Sequence, residues 1–177
     1  VLGEVLISAA HLKDHYDRLW LTDREAVRDT ERIADAAPGS RWHRTGDVGH
    51  LDAAGRLWVE GRMPHVIVTA DGPVAPVGPE QQVECVDAVR RAAVVGVGPH
   101  GLRQAVAIVE TTPAVARPGL AAPALTAAVR ASCELPLVAV LAVPRLPTDI
   151  RHNSKIDRSR LSAWAERVLA GEKPVAP

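Results

Sequence analysis

With 177 residues, zero formal net charge and 47% apolar residues, the chain is long enough for one domain and part of another. Zero net charge leaves no electrostatic footprint for nucleic acid or an anionic membrane surface, and no apolar run approaches a membrane span. Cys85 and Cys133 are too few for a disulfide framework or a zinc site, and no signal-peptide pattern is present, so the chain reads as cytoplasmic with reduced thiols.

The opening run Val1-Leu2-Gly3-Glu4-Val5-Leu6-Ile7 has no initiator Met and begins in β-type sequence, which reads as a piece of something larger. Val5 to Ala9 is expected as a strand. Leu12, Tyr16, Leu19 and Trp20 recur at helical spacing, which assigns the aromatics to core packing. Asp23 to Asp35 is rich in charge with a thin apolar stripe (Val27, Ile33) and reads as a surface insertion. Ala37-Pro38-Gly39-Ser40 is a turn.

Trp42 to Glu60 is the first well-specified unit. Val48 and Leu51 precede Asp52-Ala53-Ala54-Gly55, and Arg56 to Glu60 alternates afterwards, the pattern of a β-hairpin. Ahead of it lies Arg44-Thr45-Gly46-Asp47. From spacing alone Asp47 is an Asx-turn residue; at a hairpin edge beside glycine it is also able to present a carboxylate into a cleft. The composition shifts at Gly61-Arg62, which divides the chain into residues 1–61 and 62–177.

The second part predicts a small α+β domain in the order ββ-α-β-β-α-β-α. His65 to Thr69 is a strand, Asp71-Gly72 a hairpin turn, and Pro73 and Pro76 confine the return strand to a sheet edge. Gly78-Pro79 opens a helix with Val83, Val86 and Val89 inward and Glu80, Gln81 and Glu84 in its first turns. Arg91 to Val97, Gln104 to Glu110 and Leu137 to Val143 form a three-stranded sheet flanked by helices. Thr111 to Pro123 is a proline-rich loop, and Ala124 to Cys133 a helix with Leu125, Ala128 and Val129 inward. Asp157 caps a last helix with apolar face Leu161, Trp164, Val168 and Leu169, and Gly171 ends it.

Lys155 stands in a polar loop just before that helix. It is one of three lysines against eighteen arginines. Where charge alone was needed, this sequence nearly always used Arg, so a Lys here points to a slim, mobile point charge. On residue type alone it is a solvated loop lysine. His152 and Arg151 beside it read the same way, with a proton-handling or substrate-orienting role for His152 and a phosphate contact for Arg151 as the alternatives.

Taken together, Arg44-Thr45-Gly46-Asp47, then Gly55-Arg56-Leu57-Trp58-Val59-Glu60-Gly61-Arg62, then Asn153-Ser154-Lys155-Ile156-Asp157-Arg158 at the end of a small α+β domain resemble the C-terminal third of an adenylate-forming enzyme. That superfamily includes acyl-CoA synthetases, peptide-synthetase adenylation domains and luciferases. The resemblance covers nearly the whole chain, including Gly3-Glu4. Within it, Asp149 to Arg158 and Asp71-Gly72-Pro73-Val74 resemble the olefin-biosynthesis β-lactone synthetases, which act on long-chain 2-alkyl-3-hydroxy acids.

The resemblance implies that residues 1–61 are the β-rich end of a large ATP- and acyl-binding domain, and that 62–177 are a small mobile domain. It implies ATP and Mg²⁺ as cofactors and a long-chain hydroxy acid or fatty acid as substrate. It further implies the rest of the large domain, and other enzymes of the same pathway, as partners. Asp47 matches the carboxylate that binds the ribose hydroxyls, Arg62 the arginine that reaches ribose or phosphates, and Lys155 the lysine bridging substrate carboxylate and α-phosphate. No protein metal ligand is assigned. The family's phosphate loop and acyl pocket have no counterpart within the chain, so by itself it is expected to be inactive, with its first part the less well-ordered half or paired with a second copy. Two departures stand out. The position where many relatives carry an Asp or Lys hinge is Pro64, whose φ is fixed. The next hairpin has Pro73 and Val74 where acyl-CoA ligases tend to carry aromatic and basic residues. Both favour a reaction finished in the first site over thioester formation. An ordinary acyl-CoA or fatty acyl-AMP ligase is the first alternative, and a non-catalytic partner-binding module the second.

Overall fold

Three runs of Val, Ala, Leu and Ile supply the long strands on which the larger part of the molecule is built. The computed structural model describes residues 2–9, 27–28, 42–149 and 152–177, and the chain divides into two units, Val1–Pro64 and His65–Pro177. The expected features between His11 and Leu21 and the turn at Ala37-Pro38-Gly39-Ser40 lie outside the described residues.

The first unit is one antiparallel sheet of β1 (Gly3–Ile7), β2 (Val27–Arg28), β3 (Trp42–Leu51) and β4 (Leu57–Arg62). β3 is central, with β1 along one edge and β4 and β2 along the other. Val27 and Arg28, expected within a surface insertion, instead extend this sheet. The β3–β4 hairpin is tied by Asp52. Its Oδ1 accepts from the backbone N–H groups of Ala54 and Arg56, both at 2.9 Å, and its Oδ2 from Trp58 Nε1 at 3.0 Å and Arg56 Nε at 2.7 Å. The Trp58 indole, followed by the Arg56 backbone and guanidinium, lowers the Asp52 pKa to about 2. Among the described residues of this unit only Val48 and Gly49 are buried. Leu51, Leu57, Trp58 and Val59 are exposed on the hairpin.

A 3₁₀ turn over Met63–His65 runs across the boundary, so the first strand of the second unit begins at Ile67 and not at His65. The division falls after Pro64 and not after Gly61, because Arg62 still pairs with Asp47 in the β3–β4 ladder. β5 (Ile67–Thr69) and β6 (Gly72–Val74) form a two-stranded ribbon. Then follow α1 (Val77–Glu84), β7 (Val89–Val97), β8 (Gln104–Thr111), β9 (Gly119–Leu120), α2 (Pro123–Ser132), β10 (Leu137–Val143), β11 (Thr148–Asp149), β12 (His152–Ile156) and α3 (Arg158–Leu169).

The principal sheet has the order β7-β8-β10-β9. β8 and β10 are parallel and the outer pairs antiparallel. Alternate residues of the same strands enter two cores: Ala92 and Val94 pack with Val83 of α1 and Val129 of α2, and Ala93 and Val95 with Leu161, Trp164 and Ala165 of α3. Burial on both faces explains why the strands read as unbroken apolar runs. β7 has a ladder partner on one edge only. Along the other, side chains substitute for a strand: Glu84 Oε1 accepts from Ala92 N–H and Glu80 Oε1 from Val94 N–H, both at 2.9 Å. Ser162 Oγ donates to Gly96 O at 2.6 Å, and Glu166 Oε1 accepts from Gly98 N–H at 3.1 Å. Two helices thus satisfy an edge that would otherwise be open to another chain.

Val86 and Val89 pack into the core as expected, but not from the helix: α1 ends at Glu84, Val86 lies beyond it and Val89 begins β7. Ala128, which lies off the buried face that Val129 marks, and Leu169, the last residue of α3, are exposed, and the proline-rich loop contributes β9 to the sheet.

Asp52 yields a signed pH expectation. A depressed carboxylate contributes stability that is complete above its ordinary value of 3.8 and lost as pH falls through about 2. NMR titration should follow the Asp52 carboxyl to about 2, with the Trp58 indole N–H resonance shifting over the same interval. An Asp52 titration at the ordinary carboxylate value would contradict this geometry.

Candidate functional site

Between Glu4↔Val48 and Leu6↔Arg44 the β1–β3 register jumps, leaving surplus residues on β3. Thr45, Gly46 and Asp47 therefore form a bulge. Gly46 adopts φ +70°, a left-handed conformation that suits glycine. Thr45 Oγ1 donates to Val5 O at 2.9 Å and accepts from Asp47 N–H at 3.0 Å, replacing ladder bonds lost at the bulge. Glu4 anchors the bulge from β1, with both carboxylate oxygens 2.8 Å from Arg44 Nε. The turn-capping task that spacing offered to Asp47 thus falls to Thr45, and the Asp47 carboxylate is released for other contacts.

β4 carries Arg62 to the position opposite Asp47. Arg62 Nη1 donates to Asp47 Oδ1 at 3.0 Å, with 58% and 32% of the two side chains exposed. An ion pair this wet contributes little stability. Arg62 engages one of the two Asp47 carboxylate oxygens. A half-engaged carboxylate beside a guanidinium is suited to a ligand bearing both hydroxyl donors and anionic oxygens.

Lys155 lies in the second unit, near the end of β12 and not in a loop. β12 pairs with β11 through Thr148↔Ile156 and Asp149↔His152. Lys155 is exposed, while its neighbour Ile156 is buried against α3. Several contacts fix the backbone around it. Asp157 N–H donates to Pro147 O at 3.0 Å, and the Asp157 carboxylate caps α3 by accepting from Arg160 N–H at 3.0 Å. Glu110 Oε1 accepts from Leu146 N–H at 2.6 Å. Arg158 grips Glu80 through Nε at 2.8 Å and Nη2 at 2.6 Å.

The structure therefore brings Asp47 and Arg62 together and sets Lys155 in the other unit. His152 has its backbone in β12, with its side chain outside what is described, and Arg151 lies outside the described residues. Sequence reading missed Glu80, Arg158 and Glu110. Glu80 passed for an acid favouring a helix N-terminus, and the strand-end position of Glu110 hid its burial. Among the described residues no three His, Cys, Asp or Glu side chains converge to hold a metal. No described helix is long and apolar enough to cross a membrane.

No family model matches the chain. It is 37% identical over 95% of its length to an olefin beta-lactone synthetase of Stenotrophomonas maltophilia, and 38% identical over 93% to one of Xanthomonas campestris. It spans 30% of the length of each. Its fold matches that of an anthranilate CoA ligase solved with anthranoyl-AMP, with a TM-score of 0.73 at 22% identity, covering 97% of this chain and 30% of that one. The chain belongs to the adenylate-forming enzymes and has the fold of their C-terminal part. A second family member, the O-succinylbenzoate CoA synthetase of Bacillus subtilis solved with ATP and a magnesium ion, gives a TM-score of 0.70 at 20% identity over 91% of this chain and 30% of that one.

The bulge depends on Gly46, where an added Cβ would meet Arg62 Nη2 at 3.4 Å. Gly46→Ala should cost about 1–2 kcal/mol from the left-handed backbone alone. Thermal unfolding should show that loss, and Gly55→Ala, in open space at φ +77°, serves as the control for backbone strain without a neighbour.

Proposed function

We propose that this chain is the C-terminal part of a longer ATP-dependent enzyme that activates a long-chain 2-alkyl-3-hydroxy acid as its acyl adenylate and closes it to a β-lactone, as in olefin biosynthesis. The observation that carries the adenylate reading is the Asp47–Arg62 pair on the Gly46 bulge. Asp47 Oδ2 accepts from the vicinal ribose hydroxyls of ATP, and Arg62 holds Asp47 while facing ribose or phosphate. The β-lactone reading draws on the two olefin beta-lactone synthetases that match almost the whole chain.

In the first step the acid carboxylate attacks the α-phosphorus, an oxygen–phosphorus bond forms, and pyrophosphate departs. Lys155 offsets the negative charge gathered between carboxylate and phosphate. In the second step the substrate's 3-hydroxyl oxygen attacks the acyl carbon, the bond to AMP breaks, and the hydroxyl proton passes to a base. Such attack is intramolecular and needs orientation more than a second binding site. Pro64 within the 3₁₀ turn, and Pro73-Val74 on β6, fit a reaction that needs neither a domain swing nor a pantetheine tunnel. Mg²⁺ ordinarily binds such enzymes through substrate phosphates and would neutralise charge there.

The first unit then belongs with the large ATP- and acyl-binding domain, and the exposed Leu51, Leu57, Trp58 and Val59 fit packing against more of that body. The second unit corresponds to the small C-terminal domain, its swing restricted at Pro64, in a cytoplasmic enzyme that works alongside others of its pathway. A CoA-ligase reading is favoured by a Mycobacterium tuberculosis CoA ligase 36% identical over 66% of this chain.

The full-length protein, given ATP, Mg²⁺ and a 2-alkyl-3-hydroxy acid without CoA, should release AMP, pyrophosphate and a β-lactone identifiable by mass spectrometry. A CoA thioester as the product when CoA is supplied would contradict the β-lactone assignment, and no pyrophosphate release with any hydroxy or fatty acid would favour a non-catalytic module.

A further inference from the structure

Among the described residues no ion pair or hydrogen bond holds the Lys155 ammonium, and β12 pairs with the two-residue β11. Among the described contacts its position is set through the backbone. Beyond the buried Ile156 and the helix cap at Asp157, the next constraint is three residues on, where Arg158 opens α3.

We propose that the buried Glu80–Arg158 ion pair is the positioning element that sets Lys155 against the reacting carboxylate and α-phosphate, a proposal that rests on the adenylation reading above. Arg158 forms a two-pronged bond to Glu80, with 18% and 8% of the side chains exposed. Glu80 is itself fixed, since its Oε1 also accepts from Val94 N–H on the edge of β7. The chain of contacts runs from the principal sheet through Glu80 to Arg158, and from there through Asp157 and Ile156 to Lys155.

Two features argue against a purely stabilising role. A cation in the first turn of a helix opposes the helix dipole, so Arg158 is a poor choice for stabilising α3. A buried ion pair is also a weak source of net stability compared with apolar packing, because both charges must be desolvated. The same pair is well suited to fixing geometry. The planar guanidinium fork admits one orientation, which a lysine would not enforce. Displacing a reacting group by about 1 Å costs on the order of 10²-fold in rate.

The test uses the full-length enzyme and acid-dependent exchange of pyrophosphate into ATP. Arg158→Met and Glu80→Gln should each lower the exchange rate by roughly 10²-fold with KM for ATP unchanged. Arg158→Lys, which keeps the charge and loses the fork, should fall between them and the parent, and it replaces Arg158→Met if that variant does not fold. In a Lys155→Ala background the same substitutions should produce no further loss, because the pair acts through that lysine. Full exchange in the Arg158 and Glu80 variants, or an equal loss in the Lys155→Ala background, would overturn the positioning role alone. Full exchange in Lys155→Ala by itself would overturn the reading of Lys155, and this proposal with it.

Discussion

The Glu80 carboxylate is the constraint on which the second unit turns. It is 6% exposed, a depth at which a carboxylate needs hydrogen-bond donors, and it has three: Val94 N–H and two from Arg158. One residue thereby closes part of the open edge of β7, anchors α1 beneath the sheet and fixes the start of α3. Glu84, Ser162 and Glu166 continue the same task along β7. Breaking the Glu80 node would leave a buried charge alone, which is why it is expected to tolerate substitution poorly.

Much of this unit was legible in the sequence because its strands are buried on both faces. Ala92 to Val97, Ala105 to Val109 and Leu137 to Val143 could only be core strands, and Asp157 and Gly171 bracket α3 with ordinary cap chemistry. What the sequence hid was tertiary. α1 stops at Glu84, where the chain must turn back to start β7 at Val89, so a valine stripe that looked helical is shared between two elements. Glu80 and Glu110 look like surface acids until a backbone N–H from another element arrives. Lys155 looked like a loop residue because β12 has polar sequence and a two-residue partner.

The candidate site divides along the same line. The motif at Arg44 to Asp47 was visible, but its geometry depends on a bulge that no periodicity announces. Gly46 permits it, Thr45 satisfies the orphaned backbone, and Glu4 on β1 secures Arg44. Sequence offered Asp47 as a turn cap, and Thr45 fills that place. The site is thus built from weak, exposed pairs resting on well-satisfied supports. Asp47–Arg62 adds little to stability and remains available to a ligand, whereas Glu80–Arg158 is largely buried and held by two hydrogen bonds. Lys155, exposed and unpaired among the described residues, combines the two: its charge is open to solvent and its backbone is anchored.

The adenylation proposed for the full-length protein requires an acid carboxylate to attack the α-phosphorus of ATP. The most direct measurement follows oxygen. With a 2-alkyl-3-hydroxy acid labelled with ¹⁸O in its carboxyl group, AMP released by the full-length protein should carry one ¹⁸O, because the bridging oxygen of the acyl adenylate leaves with phosphorus when the acyl carbon is attacked. Unlabelled AMP, or label recovered in orthophosphate, would contradict the account.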